Sequence, residues 1–132
     1  MNIENCIHLE GEIYSSKNSR QFFKNKYTGK TYLSKSKRAK EQESDLFSKL
    51  NTAQNINKWM KMGQNKEFPL KVGFYIVRKT HRRWDWQNII QGVADALVKA
   101  GYLPDDSAVY FTPVYLGWEV NKEKPSVTIT II

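Results

Sequence analysis

Between Asp85 and Gly101 the chain carries its strongest periodic signal. Trp86, Ile89, Ile90, Val93, Leu97 and Ala100 recur at helical spacing and fall on one face. An apolar stripe of that width has to be buried, so the segment predicts an amphipathic helix packed on other elements of a core. Asp85 supplies the side-chain oxygen that an N-cap needs, and Gly101, after Lys99, supplies a stop. On the polar face Asn88, Gln91 and Asp95 follow at steps of three and four residues. Gly92 leaves room beside them for another backbone or a phosphate. Asp105 and Asp106 follow Pro104 in a turn signal. The stretch from Arg82 to Asp106 thus presents carboxylates at both ends of one helix. It comes directly after an acid-free basic run made by Lys71, Arg78, Lys79, Arg82 and Arg83. Carboxylates next to a basic surface are what a site needs to hold a metal ion against phosphate, and they point towards a nuclease.

The other elements read less sharply. Asn2 to Glu10 predicts a short, imperfectly alternating strand that Gly11 ends. Residues 20 to 33 predict a hairpin turning at Tyr27-Thr28-Gly29-Lys30, where glycine can supply positive φ. Ser36 to Met62 predicts a helix interrupted near Asn51-Thr52 and stopped by Gly63, and Phe68 to Arg78 a core strand with a basic end. Val109 to Trp118 and Ser126 to Ile132 predict two final strands, with residues 121 to 125 as the turn between them. The fold class expected is α+β: one small domain over residues 1–132, with a mixed sheet packed against two main helices.

A formal charge of +8 makes a polyanion the expected partner. Lys17 to Lys40 contains nine Lys or Arg and no acid, with Phe22, Phe23, Tyr27 and Tyr32 interleaved, which reads as a nucleic-acid track. No apolar run approaches the roughly 20 residues that span a bilayer, and the acidic N-terminus is unlike a basic leader, so no membrane role is expected. Cys6 is the only cysteine, and with only His8 and His81 a structural zinc site is not expected. A reducing cytoplasm fits this usage.

Asp85-Trp86-Gln87-Asn88, then Asp95-Ala96-Leu97-Val98-Lys99-Ala100-Gly101, then Asp105-Asp106 resemble the RusA family of Holliday junction resolvases. That family's hallmark is a D-x-D-N helix start, a D-A-L-x-K-A-G helix end and a paired aspartate. The resemblance implies a homodimeric, Mg²⁺-dependent crossover junction endodeoxyribonuclease, with Mn²⁺ as the alternative ion. It would act in recombination and repair, in a bacterial or prophage setting, and recognise branched DNA by shape. By position Asp85 and Asp106 would be metal ligands, Asp105 would assist and Asn88 would support the helix start. Two departures stand at the site: Gln87 replaces the second aspartate of D-x-D-N, and Gln91 replaces the family's catalytic lysine. Trp84 also precedes Asp85 where the family often has a basic residue.

Glutamine offers a carbonyl oxygen but no net charge, so ion affinity should fall, and a missing lysine removes a cation from the transition state. Under the leading reading Gln87 and Gln91 line the active site as neutral polar groups. Lys79, Arg82 and Arg83 hold phosphates, and Lys17, Arg20, Lys24, Lys26 and Lys30 extend the DNA track. Phe22, Phe23 or Tyr27 would wedge at a junction centre or simply pack the hairpin. Completion of a rearranged site by Asp95, Asp105 or Asn88 stays open. So do a binding module that keeps the fold without the chemistry and a basic RNA-binding or protein-interaction domain.

Overall fold

The helix with the strongest sequence signal organises the core. In the computed structural model, which describes residues 5–13, 20–35 and 37–132, Ile89, Ile90, Val93, Ala94, Ala96 and Leu97 are buried on one side of the helix Trp86–Lys99. In chain order the elements are β1 (Ile7–Glu10), β2 (Arg20–Lys24), β3 (Thr31–Lys35), α1 (Lys37–Leu50), α2 (Ala53–Gly63), β4 (Leu70–Arg78), α3 (Trp86–Lys99), β5 (Phe111–Val120) and β6 (Ser126–Ile131). A four-stranded sheet runs in the order β1-β6-β4-β5, and β2 and β3 form a separate antiparallel hairpin. The class is α+β, as expected from the sequence, with a mixed sheet because β4 pairs parallel with β5 and antiparallel with β6.

Alternation decides which face of the sheet is covered. Ile7 and Leu9 of β1, Val127, Ile129 and Ile131 of β6, and Leu70, Val72, Phe74 and Ile76 of β4 are buried in one core with Leu46, Leu50, Trp59 and the apolar face of α3. Their sequence neighbours on the opposite face are more polar and interact across strands: His8 Nδ1 lies 3.0 Å from Thr128 Oγ1, and Tyr75 donates to Glu119 at 3.0 Å. One face packed and one face wet is the pattern antiparallel sheets tolerate. α1 lies against α3 and β3, while α2 lies against β6 and β1.

Several boundaries move. The break near Asn51-Thr52 is real, because Thr52 caps α2 by accepting from the Asn55 amide, so the long helix expected from residue 36 is two. Strand β1 begins only at Ile7, and residues 1 to 4 lie outside the described residues. Strand β5 starts at Phe111, because Tyr110 and Phe111 donate to the Ser107 carbonyl and hold residues 107 to 110 in a turn. β5 and β6 are joined by the expected turn but do not pair, since β4 lies between them. The hairpin turn forms as expected. Asn25 Oδ1 accepts from the amides of Tyr27 and Thr28, and Gly29 takes φ +71°.

The return from α3 to the sheet is anchored by Tyr102. Its hydroxyl donates to the carbonyl of Leu50 at the end of α1, its ring packs 5.1 Å from that of Trp59, and its own carbonyl accepts from Trp59 Nε1. Burial pushes the phenol up to about 12 from its ordinary 10.0. The folded state therefore holds this proton more tightly than the unfolded chain. The stabilisation is whole below pH 10 and is lost as pH rises to about 12. Denaturation measured across that window should show stability falling. Tyr102→Phe should remove this part of the slope and cost about 1–3 kcal/mol throughout by leaving the buried Leu50 carbonyl without its donor.

Candidate active site

Asp85 terminates the exposed segment that follows β4 and opens α3. Its Oδ1 accepts from the backbone amides of Gln87 at 3.0 Å and Asn88 at 3.3 Å, which satisfies two of the free N–H groups at the helix start. The capping role read from the sequence is thus occupied. The polar face of α3 carries Asn88, Gln91 and Asp95 outward because the opposite face is locked into the core.

Chain reversal at Gly101, where φ is +83°, then brings the paired aspartates back alongside the helix. Gly101 N donates to Val98 O, Tyr102 N donates to Leu97 O, and buried Tyr102 and Leu103 pin the return. At its end Gln91 Nε2 donates to Asp106 Oδ2 at 2.7 Å and to Asp95 Oδ1 at 2.9 Å. One neutral amide therefore joins two carboxylates from different segments, and all three side chains reach solvent. Asp105 turns to its own loop. Its Oδ1 accepts from the Ser107 amide at 2.7 Å, and the hydrogen bonds from Ser107 hold its carboxyl below the usual range.

The sequence-predicted residues separate into groups. Gln91 and Asp106 come together and recruit Asp95, which the sequence placed on the polar face. Asp85 stands six residues before Gln91, roughly 9 Å along the helix axis at 1.5 Å per residue. Gln87 is exposed on the first turn. Lys79, Arg82 and Arg83 are exposed between β4 and α3, and Lys24, Lys26 and Lys30 are exposed on the hairpin. Arg20 opens β2, and Lys17 lies outside the described residues. Tyr27 is 99% exposed at the hairpin turn, whereas the Phe23 ring lies 5.2 Å from Lys40 Nζ.

Among the described residues no three His, Cys, Asp or Glu side chains cluster as a metal cage. The acids gathered at Gln91 are two. Mg²⁺ commonly takes only one or two protein carboxylates and fills its remaining positions with water and substrate phosphate. Asp95 and Asp106 supply hard oxygen donors of the kind such an ion takes, whereas the Gln91 Nε2 between them is a hydrogen-bond donor and no ligand.

Trp84 and Trp86, on either side of Asp85, face the edge strand β5. The rings of Trp84 and Trp118 lie 5.5 Å apart and those of Trp86 and Tyr115 5.6 Å apart, both nearly perpendicular. With His81, Arg82 and Arg83 these four aromatics line an open cleft of about 380 Å³. Sequence reading missed Tyr115 and Trp118 as site residues, because residues three apart on a regular strand point to opposite faces. A bulge between Phe74 and Tyr75 in the β4–β5 register makes Leu116 an extra residue. Tyr115 is thereby paired with Phe74 and Trp118 with Ile76, both on the covered face. The signal was Gly117, a glycine inside a strand. Its φ is +121°, and a Cβ there would lie 3.2 Å from the Tyr75 ring. Gly117→Val should therefore lower stability by about 1–3 kcal/mol in denaturant titration and change the tryptophan emission of the cleft; unchanged stability and emission would contradict this role for the bulge.

A mixed sheet backed by helices carries carboxylates on a helix face beside exposed arginines, an arrangement suited to a polyanionic partner. The family model for Endodeoxyribonuclease RusA matches residues 10–132, and the chain belongs to the RusA endodeoxyribonuclease family. This family comprises Holliday junction resolvases, and its nucleases generally depend on divalent metal. Comparison with curated proteins found no match. Among the described residues no helix is long and apolar enough to cross a membrane.

Proposed function

We propose that the protein is a divalent-metal-dependent endonuclease that cuts four-way DNA junctions through a rearranged carboxylate site centred on Asp106. The observation that carries this reading is the pair of hydrogen bonds from Gln91 to Asp106 and Asp95. Where the family places a lysine, an amide here gathers a second carboxylate. Asp95, the aspartate of the family's D-A-L-x-K-A-G helix end, is thereby drawn to Asp106 beside a helix start where Gln87 supplies no charge. Asp106 and Asp95 would hold Mg²⁺, with Mn²⁺ as the alternative ion. Asp85 contributes from the helix start as the inherited ligand position, and Asp105 fixes the loop that presents Asp106.

When bound, the ion supplies an activated water and neutralises charge on the scissile phosphate. The chain's own residues do the positioning. Gln91 fixes the orientation of Asp106, Arg82 and Arg83 take phosphates next to the helix start, and Lys79 extends that contact. Lys24, Lys26 and Lys30 on the hairpin, with Lys17 and Arg20 before its turn, continue the positive track along the arms of the junction. Paired nicks across a four-way junction require two sites, which two copies of the domain would supply in a homodimer. The whole chain acts as one domain, and the cytoplasm is its place of work in recombination and repair.

A second reading has its own observation. Gln87 and Gln91 remove one negative and one positive charge from the family pattern, which favours a junction-binding module that has lost the chemistry.

Nicking of a labelled junction by aspartate variants separates these possibilities. Asp106→Asn should reduce the rate on the order of a hundredfold or more, and Asp95→Asn by about 10–100-fold, while junction binding in EDTA persists. An Asp95→Asn variant that cuts at the parental rate would contradict the rearranged pair. Tight binding with no cutting by the parent protein in either metal would establish the module.

A further inference from the structure

The cleft beside Asp85 is built from unlike parts. Its walls are aromatic and its rim is basic. Tyr115 is 55% and Trp118 38% exposed, although both are register partners of fully or nearly buried residues of β4. The covered face of the sheet therefore runs out at its edge strand with two large rings only partly overlaid by Trp84 and Trp86. Arg78 stacks behind them, its guanidinium carbon 5.2 Å from the Trp84 ring centre, and fixes that indole while bonding the Ile13 carbonyl. Trp86 Nε1–H is buried and has no hydrogen-bond partner among the described residues. His81, Arg82 and Arg83 line the opening, and no acidic side chain lines it.

We propose that this cleft takes one unstacked nucleobase of a DNA strand, stacked against the exposed rings of Tyr115 and Trp118, with Arg82 and Arg83 on the adjoining phosphates. The proposal rests on the reading of the protein as a nuclease of branched DNA, where bases at the branch are the ones available outside a continuous stack. Aromatic faces bind any base, and a basic groove tracks the backbone that carries it. A volume of about 380 Å³ is in the range of a pocket for a single small flat group. A second copy of the chain is the weaker occupant. In a two-fold interface the patch meets itself, so Arg82 and Arg83 would be brought towards their own counterparts. The base subsite lies immediately before Asp85, so a strand held there is fixed relative to the carboxylate face of α3.

The test is titration of tryptophan fluorescence in EDTA with a short single-stranded DNA of about eight nucleotides, within the usual site size for such grooves. A fully abasic strand of the same length and charge is the comparison. The normal strand should quench the parent protein and bind about tenfold more tightly than the abasic one. Tyr115→Ala and Trp118→Ala should each lose about tenfold in affinity for the normal strand, and Trp118→Phe should recover most of that loss. Equal binding of normal and abasic strands by the parent protein would overturn the proposal, and that comparison needs no variant to fold. It would equally be overturned if Tyr115→Ala and Trp118→Ala converted a dimer to monomers in size-exclusion chromatography with strand binding intact. Base-dependent quenching by a parent protein that cuts no junction in Mg²⁺ or Mn²⁺ would support the cleft while rejecting the nuclease reading.

Discussion

The rotational setting of α3 on the sheet is the constraint on which the site depends. Six residues of its apolar face are at most 3% exposed, so the helix cannot turn about its axis without opening the core. With that face fixed, the outward direction of Asn88, Gln91 and Asp95 is fixed as well. The same burial decides where the chain goes next. Tyr102 and Leu103 insert into the core directly after Gly101, and the loop that follows returns along the helix and delivers Asp106 to Gln91. A carboxylate on an exposed loop is thus positioned by apolar packing a few residues before it.

The neutral Gln91 has a definite electrostatic consequence in this geometry. A lysine at position 91 would have placed an ammonium between carboxylates. Gln91 keeps the hydrogen bonds to both Asp95 and Asp106 but leaves their charges uncompensated. A pair of uncompensated carboxylates attracts a cation more strongly than a pair bridged by lysine.

What the sequence made legible follows the strength of local periodicity. Helix α3, its cap at Asp85 and its stop at Gly101 were readable because burial, capping and glycine chemistry all specify the same element. The break between α1 and α2 was readable from Asn51-Thr52, because a Thr cap competes with continuation of the helix. The sheet order was not readable. β5 and β6 are consecutive and joined by a short turn, yet β4 separates them, and no local signal distinguishes that insertion from a hairpin. Asp95 was visible as a member of the polar face, but its bond to Gln91 becomes meaningful only when Asp106 returns from eleven residues further on. Tyr115 and Trp118 escaped because their shared face depends on one extra residue at Leu116, and a bulge reverses the parity that strand reading relies on.

Incubation of the parent protein with a labelled four-way junction and a matched linear duplex, in EDTA, Mg²⁺ and Mn²⁺, tests the central claim most directly. Symmetric nicks in the junction alone, present with a divalent ion and absent in EDTA, are the predicted result. Junction binding without cleavage under every condition, or equal cleavage of the linear duplex, would contradict it.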